Sequence, residues 1–397
     1  MLLAKTQNGS IVSLFDATER QLAFYKTCAF YCPCCNGKLH VKAGKIKIPH
    51  FAHAINEACD YASEGESEEH LEGKRSLYDW FRKQGVAVVL EKYIPQIKQR
   101  PDLYLECREA NYAIEFQCSA LPLDVIKKRT LTYRKANIIP LWIFSYSHLK
   151  RHGNAYSLSA FQWYGISGSS LAPRIVFYSP KLQEFTILNQ LTPFSSRQIF
   201  GFPLIRKQKH LSFLQLAEPD ELRELSCRDW MARKKRWRLT SFVHAGESDL
   251  HISLYQAGIS TATLPDGIGL PVPYMHLYET PCIEWQSWLY LNIFRDKKEG
   301  DMILRKNIQA AVIRCIQENK IRLRFLPFQG AIDPILPAKW YMSLLDGIGL
   351  VEEAGGGNFR LVKTLQMHNP ALPKVEEIFC RNACSVYNKL MKREQEA

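Results

Sequence analysis

A short segment with two alternating runs of apolar and polar residues constrains the fold of this chain more than any other. Residues 100–119 read RPDLYLECREANYAIEFQCS. This alternation predicts two strands, with Arg108–Asn111 as the turn between them. Successive strand residues point to opposite faces, so Glu115 and Gln117 share a face. A loop with an even number of residues, centred on Glu109 and Ala110, would place Asp102 opposite Gln117, on the face that carries Glu115.

Two interpretations of these polar side chains are open. A hairpin often keeps one face in water, and the polar residues would then simply be solvated. Ile114, Phe116 and the apolar residues after the hairpin favour burial instead. A buried pair of carboxylates is costly unless a cation neutralises it, and a divalent metal ion would do so. We therefore expect Asp102 and Glu115 to hold Mg²⁺ or Mn²⁺, which prefer hard oxygen ligands.

The length and charge of the chain narrow its class. It has 397 residues and is 46% hydrophobic, which fits two or three folded domains. The formal net charge of +13 favours a polyanionic partner, although charge alone does not separate nucleic acid from an anionic membrane surface. No apolar run approaches the roughly 18 residues of a membrane span, and the first residues lack a signal-peptide pattern. We expect a cytoplasmic protein.

A cluster of cysteine and histidine near the start predicts a metal site. Residues 32–59 read CPCCNGKLHVKAGKIKIPHFAHAINEAC. A C-x-x-C pair precedes two histidines three residues apart, which on a helical turn would point the same way. Such ligands suit a structural, tetrahedral Zn²⁺, and the simplest set is Cys32, Cys35, His50 and His53. Cys34 or Cys59 could replace one of the four, and reduced thiols without a metal ion are the alternative.

The segments around the hairpin complete an order of helix, three strands, helix and strand. Glu57–Glu69 is expected to be a solvated loop that leads into the first helix. Val86–Ile94 is β-branched and predicts a strand before the hairpin. Leu121–Ala136 reads as a basic helix, and Ile138–Phe144 reads as the last strand. These segments indicate an α/β fold.

That order, with a Pro-Asp, a spaced Glu and a polar residue two positions later, resembles the core of the PD-(D/E)XK nuclease superfamily. Gln117 stands where the motif has Lys. The first 150 residues also contain the motifs CPxC before HFAH, Glu69-His70 with Lys74, RPD and IEFQCS. Through these motifs they also resemble the CoiA-like competence proteins. These are predicted nucleases linked to the uptake and recombination of transforming DNA. The resemblance implies a restriction-endonuclease-like core (αβββαβ) with an N-terminal zinc-ribbon-like module.

The resemblance and the chemistry of phosphodiester hydrolysis together suggest roles for the polar residues. Hydrolysis needs an activated water and a cation near the phosphorane oxygens. Gln117 would orient that water or bind the metal through its carbonyl, but it cannot act as a cation. Lys74, one helical turn from His70, would supply the missing charge. Glu69 and His70 are further catalytic candidates, with His70 as a base or metal ligand; a surface histidine beside a glutamate run is the alternative.

The basic helix supplies candidates for substrate contact. Arg129 and Tyr133 lie four residues apart and so share a face. The resemblance suggests that they touch the scissile phosphate or its neighbour; a solvated basic face with a packed tyrosine is the alternative. Lys127 and Lys128 are expected to follow the phosphate backbone.

Motifs become sparse beyond about residue 150. Leu222–Leu239 reads as a helix that contains RKKRWR. Basic residues with tryptophans suit single-stranded nucleic acid, but a solvated face with its aromatics in the core is the favoured alternative. Leu264–Pro273 is predicted to be a loop or linker. Helix, strand, triple-glycine turn and strand within Lys339–Lys363 resemble a winged-helix module at the end of a mainly helical C-terminal region. The predicted domains are residues 1–62, 63–150, 151–275 and 276–397.

The favoured function is a Mg²⁺- or Mn²⁺-dependent deoxyribonuclease that acts on incoming or recombining DNA, single- or double-stranded. A zinc-containing DNA-binding accessory protein without turnover is the alternative, and Gln117 is the feature that keeps it open. An RNA-processing enzyme is a third option. Recombination or competence proteins are further expected partners. Many nucleases of this superfamily act as homodimers. The resemblance therefore implies that this chain can form a homodimer.

Overall fold

In the part of the chain that the structure describes, the strands form three separate sheets with helices around them. A computed structural model describes residues 1–44, 48–54, 59, 67–217, 221–241, 248–326 and 333–396. The sheets have five, ten and three strands. Most of the loop expected at Glu57–Glu69 lies outside the described residues; only Cys59 and residues 67–69 of it are described.

The five-stranded sheet forms the N-terminal module. Its strands pair antiparallel in the order β2-β1-β3-β4-β5. The elements of this module are β1 (Leu3–Thr6), β2 (Ile11–Ser13), α1 (Glu19–Tyr25), β3 (Phe30–Tyr31), β4 (Lys38–Lys42) and β5 (His50–His53). The rings of Phe30 and Phe51 pack 4.9 Å apart in its core. The helical turn expected at His50 and His53 is wrong, because both residues belong to β5, which pairs with β4.

The ten-stranded sheet is the centre of the fold. Its first half follows the predicted order: α2 (Glu68–Lys83), β6 (Ala87–Leu90), β7 (Leu103–Glu106), β8 (Asn111–Gln117), α3 (Leu123–Lys135) and β9 (Ile138–Ser145). Strands β6, β7 and β8 pair antiparallel, whereas β8 and β9 are parallel and are connected through α3. A parallel pair needs such a crossover.

The same sheet continues beyond residue 150. The added elements are β10 (Lys150–His152), β11 (Ala155–Ser157), α4 (Ala160–Trp163), β12 (Ser167–Gly168), β13 (Pro173–Ser179), β14 (Glu184–Pro193), β15 (Gln198–Lys207) and α5 (Phe213–Ala217). The strand order is β10-β11-β15-β14-β13-β9-β8-β7-β6, with β12 paired to β13. The division expected between residues 150 and 151 therefore falls inside one sheet.

The β7–β8 hairpin is shifted from its predicted register. Glu106 pairs with Asn111, so the loop is Cys107–Ala110 and not Arg108–Asn111. Asp102 accordingly does not face Gln117, because continuing the observed register beyond β7 places it beside Glu115.

The shift does not change which side chains share a face. It amounts to two residues, and side chains alternate with a period of two. Asp102, Glu115 and Gln117 therefore lie on one face of the hairpin, as the alternation predicts.

A glycine lets α2 approach the sheet closely. A Cβ atom at Gly73 would lie 2.0 Å from the ring of Phe116 on β8. Glycine is unfavourable inside a helix, so its place here is explained by this contact. The close packing brings the neighbouring His70 and Lys74 over the hairpin.

The C-terminal region is mainly helical and ends in the small sheet. Its elements are α6 (Cys227–Thr240), α7 (Asp249–Gln256), α8 (Cys282–Leu289), β16 (Met302–Ile303), α9 (Arg305–Gln317), α10 (Leu336–Gly347), β17 (Val351–Glu353), β18 (Phe359–Leu361) and α11 (Pro373–Glu396). A π-helical turn, Tyr290–Phe294, follows α8. The strand order is β16-β18-β17. No helix within the described ranges combines the length and apolar character needed to cross a membrane.

Leu264–Pro273 is not a linker. Its apolar side chains are buried in the core, including Ile268, Leu270 and Val272. The carboxamide of Gln286 accepts hydrogen bonds from the backbone of Gly269 and Leu270 at 2.7 and 2.9 Å. A side chain thus satisfies buried polar groups that have no strand partner, which allows an irregular segment to be buried.

The basic run on α6 is not a fully solvated face. Trp230 is buried, in agreement with the alternative that places the aromatics in the core. Lys234 and Arg238 are also buried. Arg238 is 2.5 Å from Glu376 on α11 and 3.3 Å from Asp266. These two basic residues pair with carboxylates in the interior and are not available to nucleic acid.

Candidate active site

Asp102 is held at the junction of α2 and the hairpin. Its Oδ2 accepts a hydrogen bond from the backbone N–H of Phe116 at 2.9 Å and lies 3.1 Å from Nε2 of His70. Its Oδ1 is 3.9 Å from Nζ of Lys74. The structure thus brings His70, Lys74 and Asp102 together from two elements.

Glu115 is buried beside Asp102 and is bound from α3. Its Oε1 accepts hydrogen bonds from Nη2 of Arg129 at 2.5 Å and from the hydroxyl of Tyr133 at 2.7 Å. Burial raises the pKa of Glu115 to about 7, Arg129 opposes this shift, and the charge of Asp102 adds to it. Oε2 of Glu115 accepts no hydrogen bond from the described residues. Arg129 and Tyr133, the two residues predicted to touch phosphate, therefore both hold the Glu115 carboxylate.

Lys74 is buried and pairs with a residue that the motifs do not include. Its Nζ lies 2.5 Å from Oε1 of Glu91, which is also buried. The backbone N–H of Glu91 donates to the carbonyl of Asp102 at 2.9 Å. Only its position could have identified Glu91 from the sequence, because it directly follows β6 and pairs with Asp102.

Glu69 and Gln117 are engaged with polar neighbours. The hydroxyl of Ser145, buried at the end of β9, donates to Oε1 of Glu69 at 2.5 Å. The amide nitrogen of Gln117 donates to the carbonyl of Ser119 at 2.8 Å. The carbonyl oxygen of Gln117 accepts no hydrogen bond within the part of the chain that the structure describes. Ser145 is a further site residue that the sequence motifs missed.

Lys127 and Lys128 on α3, which were expected to follow the phosphate backbone, have different surroundings. Nζ of Lys127 is 4.4 Å from the ring centroid of Phe325 in the C-terminal region. Lys128 is exposed. Residues two positions apart on a helix do not face the same way, so Lys127 does not share the face of Arg129.

The chemistry of the donor set fits a hard divalent cation. Asp102 and Glu115 share a face, and burial together with mutual repulsion disfavours the Glu115 anion, a penalty that a bound cation would relieve. Among the described residues, the groups of three or more possible ligands with atoms within 4.8 Å of one another do not include Asp102 or Glu115. The described residues of the candidate site therefore offer two carboxylates and not a complete set of protein ligands. Two carboxylates with several retained waters are the arrangement that Mg²⁺ accepts.

The N-terminal module carries a Cys₃His group that is compatible with zinc. The ligand atoms of Cys32, Cys35, His53 and Cys59 all lie within 4.8 Å of one another. His50 does not belong to this group, because residues three apart on a strand point to opposite faces. Cys59, the alternative ligand, takes its place.

The surroundings shift the pKa values of two thiols of this group in opposite directions. A hydrogen bond with Cys34 lowers the pKa of Cys32 to about 4, whereas burial raises the pKa of Cys35 to about 12. Cys32 thus favours the thiolate without metal, whereas Cys35 holds a proton that a metal ion would displace. Such a set fits Zn²⁺.

A second group of possible ligands lies in the C-terminal region. Asp266, His368 and Glu376 have ligand atoms within 4.8 Å of one another. The guanidinium of Arg238 contacts both carboxylates at 2.5 and 3.3 Å, and Lys234 is 3.8 Å from Glu376. Cations of the chain itself neutralise this group, so it is an ion-pair cluster.

Comparisons with known proteins match three successive parts of the chain. Residues 14–62, 66–221 and 225–369 match three families, which are described as "Competence protein CoiA, N-terminal domain", "Competence protein CoiA, nuclease-like domain" and "Competence protein CoiA, C-terminal domain". The chain is 34% identical over 270 residues to "Competence protein CoiA" of Bacillus subtilis (strain 168), covering 66% of this chain and 71% of that protein. No solved structure matches. The chain belongs to the CoiA competence protein family.

Proposed function

We propose that this protein is a Mg²⁺- or Mn²⁺-dependent deoxyribonuclease that acts on incoming or recombining DNA during competence, in the cytoplasm. The observation that carries the proposal is the placement of Asp102 beside Glu115, with His70 at 3.1 Å from Asp102 and Arg129 at 2.5 Å from Glu115. The likeness to the competence protein of Bacillus subtilis and the match to a nuclease-like domain support it.

The residues of the site have distinct roles in this proposal. A divalent ion held by Asp102 and Glu115 would supply an activated water and stabilise charge on the phosphorane. Arg129 and Tyr133 hold the Glu115 carboxylate in one orientation through its Oε1. This leaves Oε2 for the ion.

The groups around the carboxylates handle protons and charge. His70 can accept a proton from the attacking water, directly or through a second water. Lys74 would add positive charge beside Asp102, in place of the lysine that Gln117 replaces. Gln117 orients the water through its carbonyl oxygen, and Glu69 with Ser145 fixes the start of α2. Lys127 and Lys128 would contact the DNA backbone away from the cleaved bond.

We further propose that α2, β6 to β8, α3 and β9 form a PD-(D/E)XK core. The order of these elements and the parallel β8–β9 pair support this. Cys32, Cys35, His53 and Cys59 would hold a structural zinc ion, which would stabilise the N-terminal module.

The small C-terminal sheet supports a winged-helix module in this proposal. The elements β16, α9, α10, β17 and β18 follow one another, and the sheet order is β16-β18-β17. Most side chains of α10 are buried, so this helix is not open to a DNA groove. Contact with DNA or a protein would then involve the turn between β17 and β18 and the exposed face of α9.

A cleavage assay on several DNA forms tests the proposed activity. Full-length protein is incubated with end-labelled single- and double-stranded DNA in Mg²⁺ or in Mn²⁺. Cleavage in the wild type that disappears in Asp102→Asn and in Glu115→Gln supports the nuclease. The same assay with RNA competitor tests the choice of nucleic acid.

One observation favours a second candidate, a DNA-binding accessory protein without turnover. Gln117 cannot carry the positive charge of the lysine in the superfamily motif. Wild-type protein that binds DNA with salt-sensitive affinity, yet leaves every form intact in both metals, would support this candidate and contradict the nuclease.

A further inference from the structure

Glu91 occupies an unusual position beside the candidate active site. It is 3% exposed and directly follows β6. Its φ of 45° lies in the left-handed region, which residues other than glycine rarely adopt. Its backbone N–H donates to the carbonyl of Asp102 at 2.9 Å. The backbone of Glu91 is thus tied to a residue that would bind the metal.

The side chain of Glu91 joins two parts of the molecule. One oxygen lies 2.5 Å from Nζ of Lys74 on α2. The carboxylate also accepts hydrogen bonds from the backbone of Leu2 at 2.9 and 3.0 Å and of Leu3 at 3.1 Å. Leu3 begins β1 of the N-terminal module. One carboxylate therefore connects a lysine of the site to the first strand of that module.

Of the described carboxylates, Glu91 and Asp102 both lie near the Lys74 ammonium, and Glu91 is the closer. Its Nζ is 2.5 Å from Glu91 but 3.9 Å from Asp102. A buried ammonium requires a counter-charge. Without the charge of Glu91, Asp102 is the nearest described carboxylate to which the ammonium can turn, and the lysine would then neutralise it.

The buried pair is not explained by stability alone. Replacing a buried ion pair with apolar side chains of similar volume is often neutral or stabilising. A lysine and a glutamate placed next to a candidate metal ligand, one of them with a left-handed backbone, indicate a role at the site.

We infer that Glu91 is a positioning residue that holds the Lys74 ammonium back from Asp102, so that Asp102 stays available to a divalent ion. It also ties this arrangement to the docking of the N-terminal module. The inference rests on the proposed function, because it takes Asp102 to be a metal ligand.

Calorimetric titration of the full-length protein with Mn²⁺ tests the inference. Glu91→Gln removes the charge but keeps an oxygen for the backbone of Leu2. We expect it to weaken Mn²⁺ binding by at least about tenfold, or about 1.4 kcal/mol. Adding Lys74→Met to that variant removes the competing ammonium and restores neutrality. The double variant should recover wild-type affinity within about threefold.

Glu106→Gln is the matched control. Glu106 lies on the neighbouring strand and pairs with Lys92 at 2.5 Å, but both side chains are exposed. An exposed pair of this kind contributes little, so Mn²⁺ affinity should not change. Amide hydrogen exchange gives a second readout. The amides of Leu2 and Leu3 should exchange faster in Glu91→Ala than in the wild type, and their exchange rates should not change in Glu106→Ala.

The outcomes separate this inference from the nuclease proposal. Unchanged Mn²⁺ affinity in Glu91→Gln overturns the inference, as does a double variant that binds as weakly as the single one. Wild-type cleavage together with either result leaves the nuclease standing while the inference fails. The expected Mn²⁺ pattern in a protein that cleaves no DNA supports the inference and contradicts the nuclease.

Discussion

The guanidinium of Arg129 and the hydroxyl of Tyr133 donate to the same oxygen of Glu115, at 2.5 and 2.7 Å. Both donors come from one face of α3, four residues apart, as the helical repeat requires. The helix therefore fixes the carboxylate from one side and leaves its other oxygen for a different ligand. This relationship links the crossover helix to the chemistry expected at the hairpin.

The stability of the protein should depend on pH through Glu115. Burial raises its pKa from the ordinary value of 4.5 to about 7, so the folded state holds the proton more tightly than the unfolded state. The stabilisation is complete below pH 4.5 and is lost as the pH rises to about 7. Each pKa unit corresponds to about 1.4 kcal/mol, so the loss should be about 3 kcal/mol.

Urea denaturation at several pH values, without added Mg²⁺ or Mn²⁺, measures this effect. The free energy of unfolding of the wild type should fall relative to Glu115→Gln between pH 4.5 and 7. A difference between the two proteins that stays constant over this range would show that Glu115 ionises normally.

Gly73→Ala should destabilise the protein. The added methyl group would lie 2.0 Å from the Phe116 ring, and relieving such a contact costs about 1–3 kcal/mol. Gly44→Ala is the control, because a Cβ atom there meets nothing within 4 Å. Thermal or urea unfolding of both variants tests this, and equal stability would mean that α2 does not pack as closely as described.

The zinc content should distinguish two neighbouring histidines. His53 belongs to the Cys₃His group, whereas His50, on the same strand, does not. His53→Ala should lose its zinc during purification, and His50→Ala should keep about one ion per chain. Metal analysis by mass spectrometry measures both. Loss of zinc from His50→Ala as well as from His53→Ala would instead support the ligand set predicted from the sequence.

Two arginines of the basic run should differ in their effect on stability. Arg238 is buried at 2.5 Å from Glu376, whereas Arg236 is exposed. Arg238→Ala leaves a buried carboxylate without its closest cation and should cost about 3–5 kcal/mol. Arg236→Ala should change the free energy of unfolding by less than about 0.5 kcal/mol. Similar values for both variants would contradict the buried cluster.

Local patterns were enough to predict much of the central sheet. Period-two alternation gave the strands of the hairpin, and the basic helix before an apolar strand gave α3 and β9. The hairpin register was wrong by two residues, because the loop is Cys107–Ala110. The shared face of Asp102 and Glu115 was still correct, since an even shift preserves the alternation.

Features that depend on distant parts of the chain were not predicted. A spacing of three residues suits a helical turn, so the sequence did not predict the β-strand at His50. That strand depends on pairing with β4. Arg238 looked solvated because its partner Glu376 lies far away in sequence. Glu91 carried no motif, and its importance follows from contacts with α2 and the N-terminal module.

The rate of DNA cleavage at saturating Mn²⁺ tests the central claim most directly. It is measured for the wild type, Asp102→Asn and Glu115→Gln, with DNA affinity measured in parallel. The account predicts cleavage by the wild type and at least about a 100-fold loss in both variants, with little change in DNA affinity. No cleavage by the wild type, or equal rates in all three proteins, would contradict it.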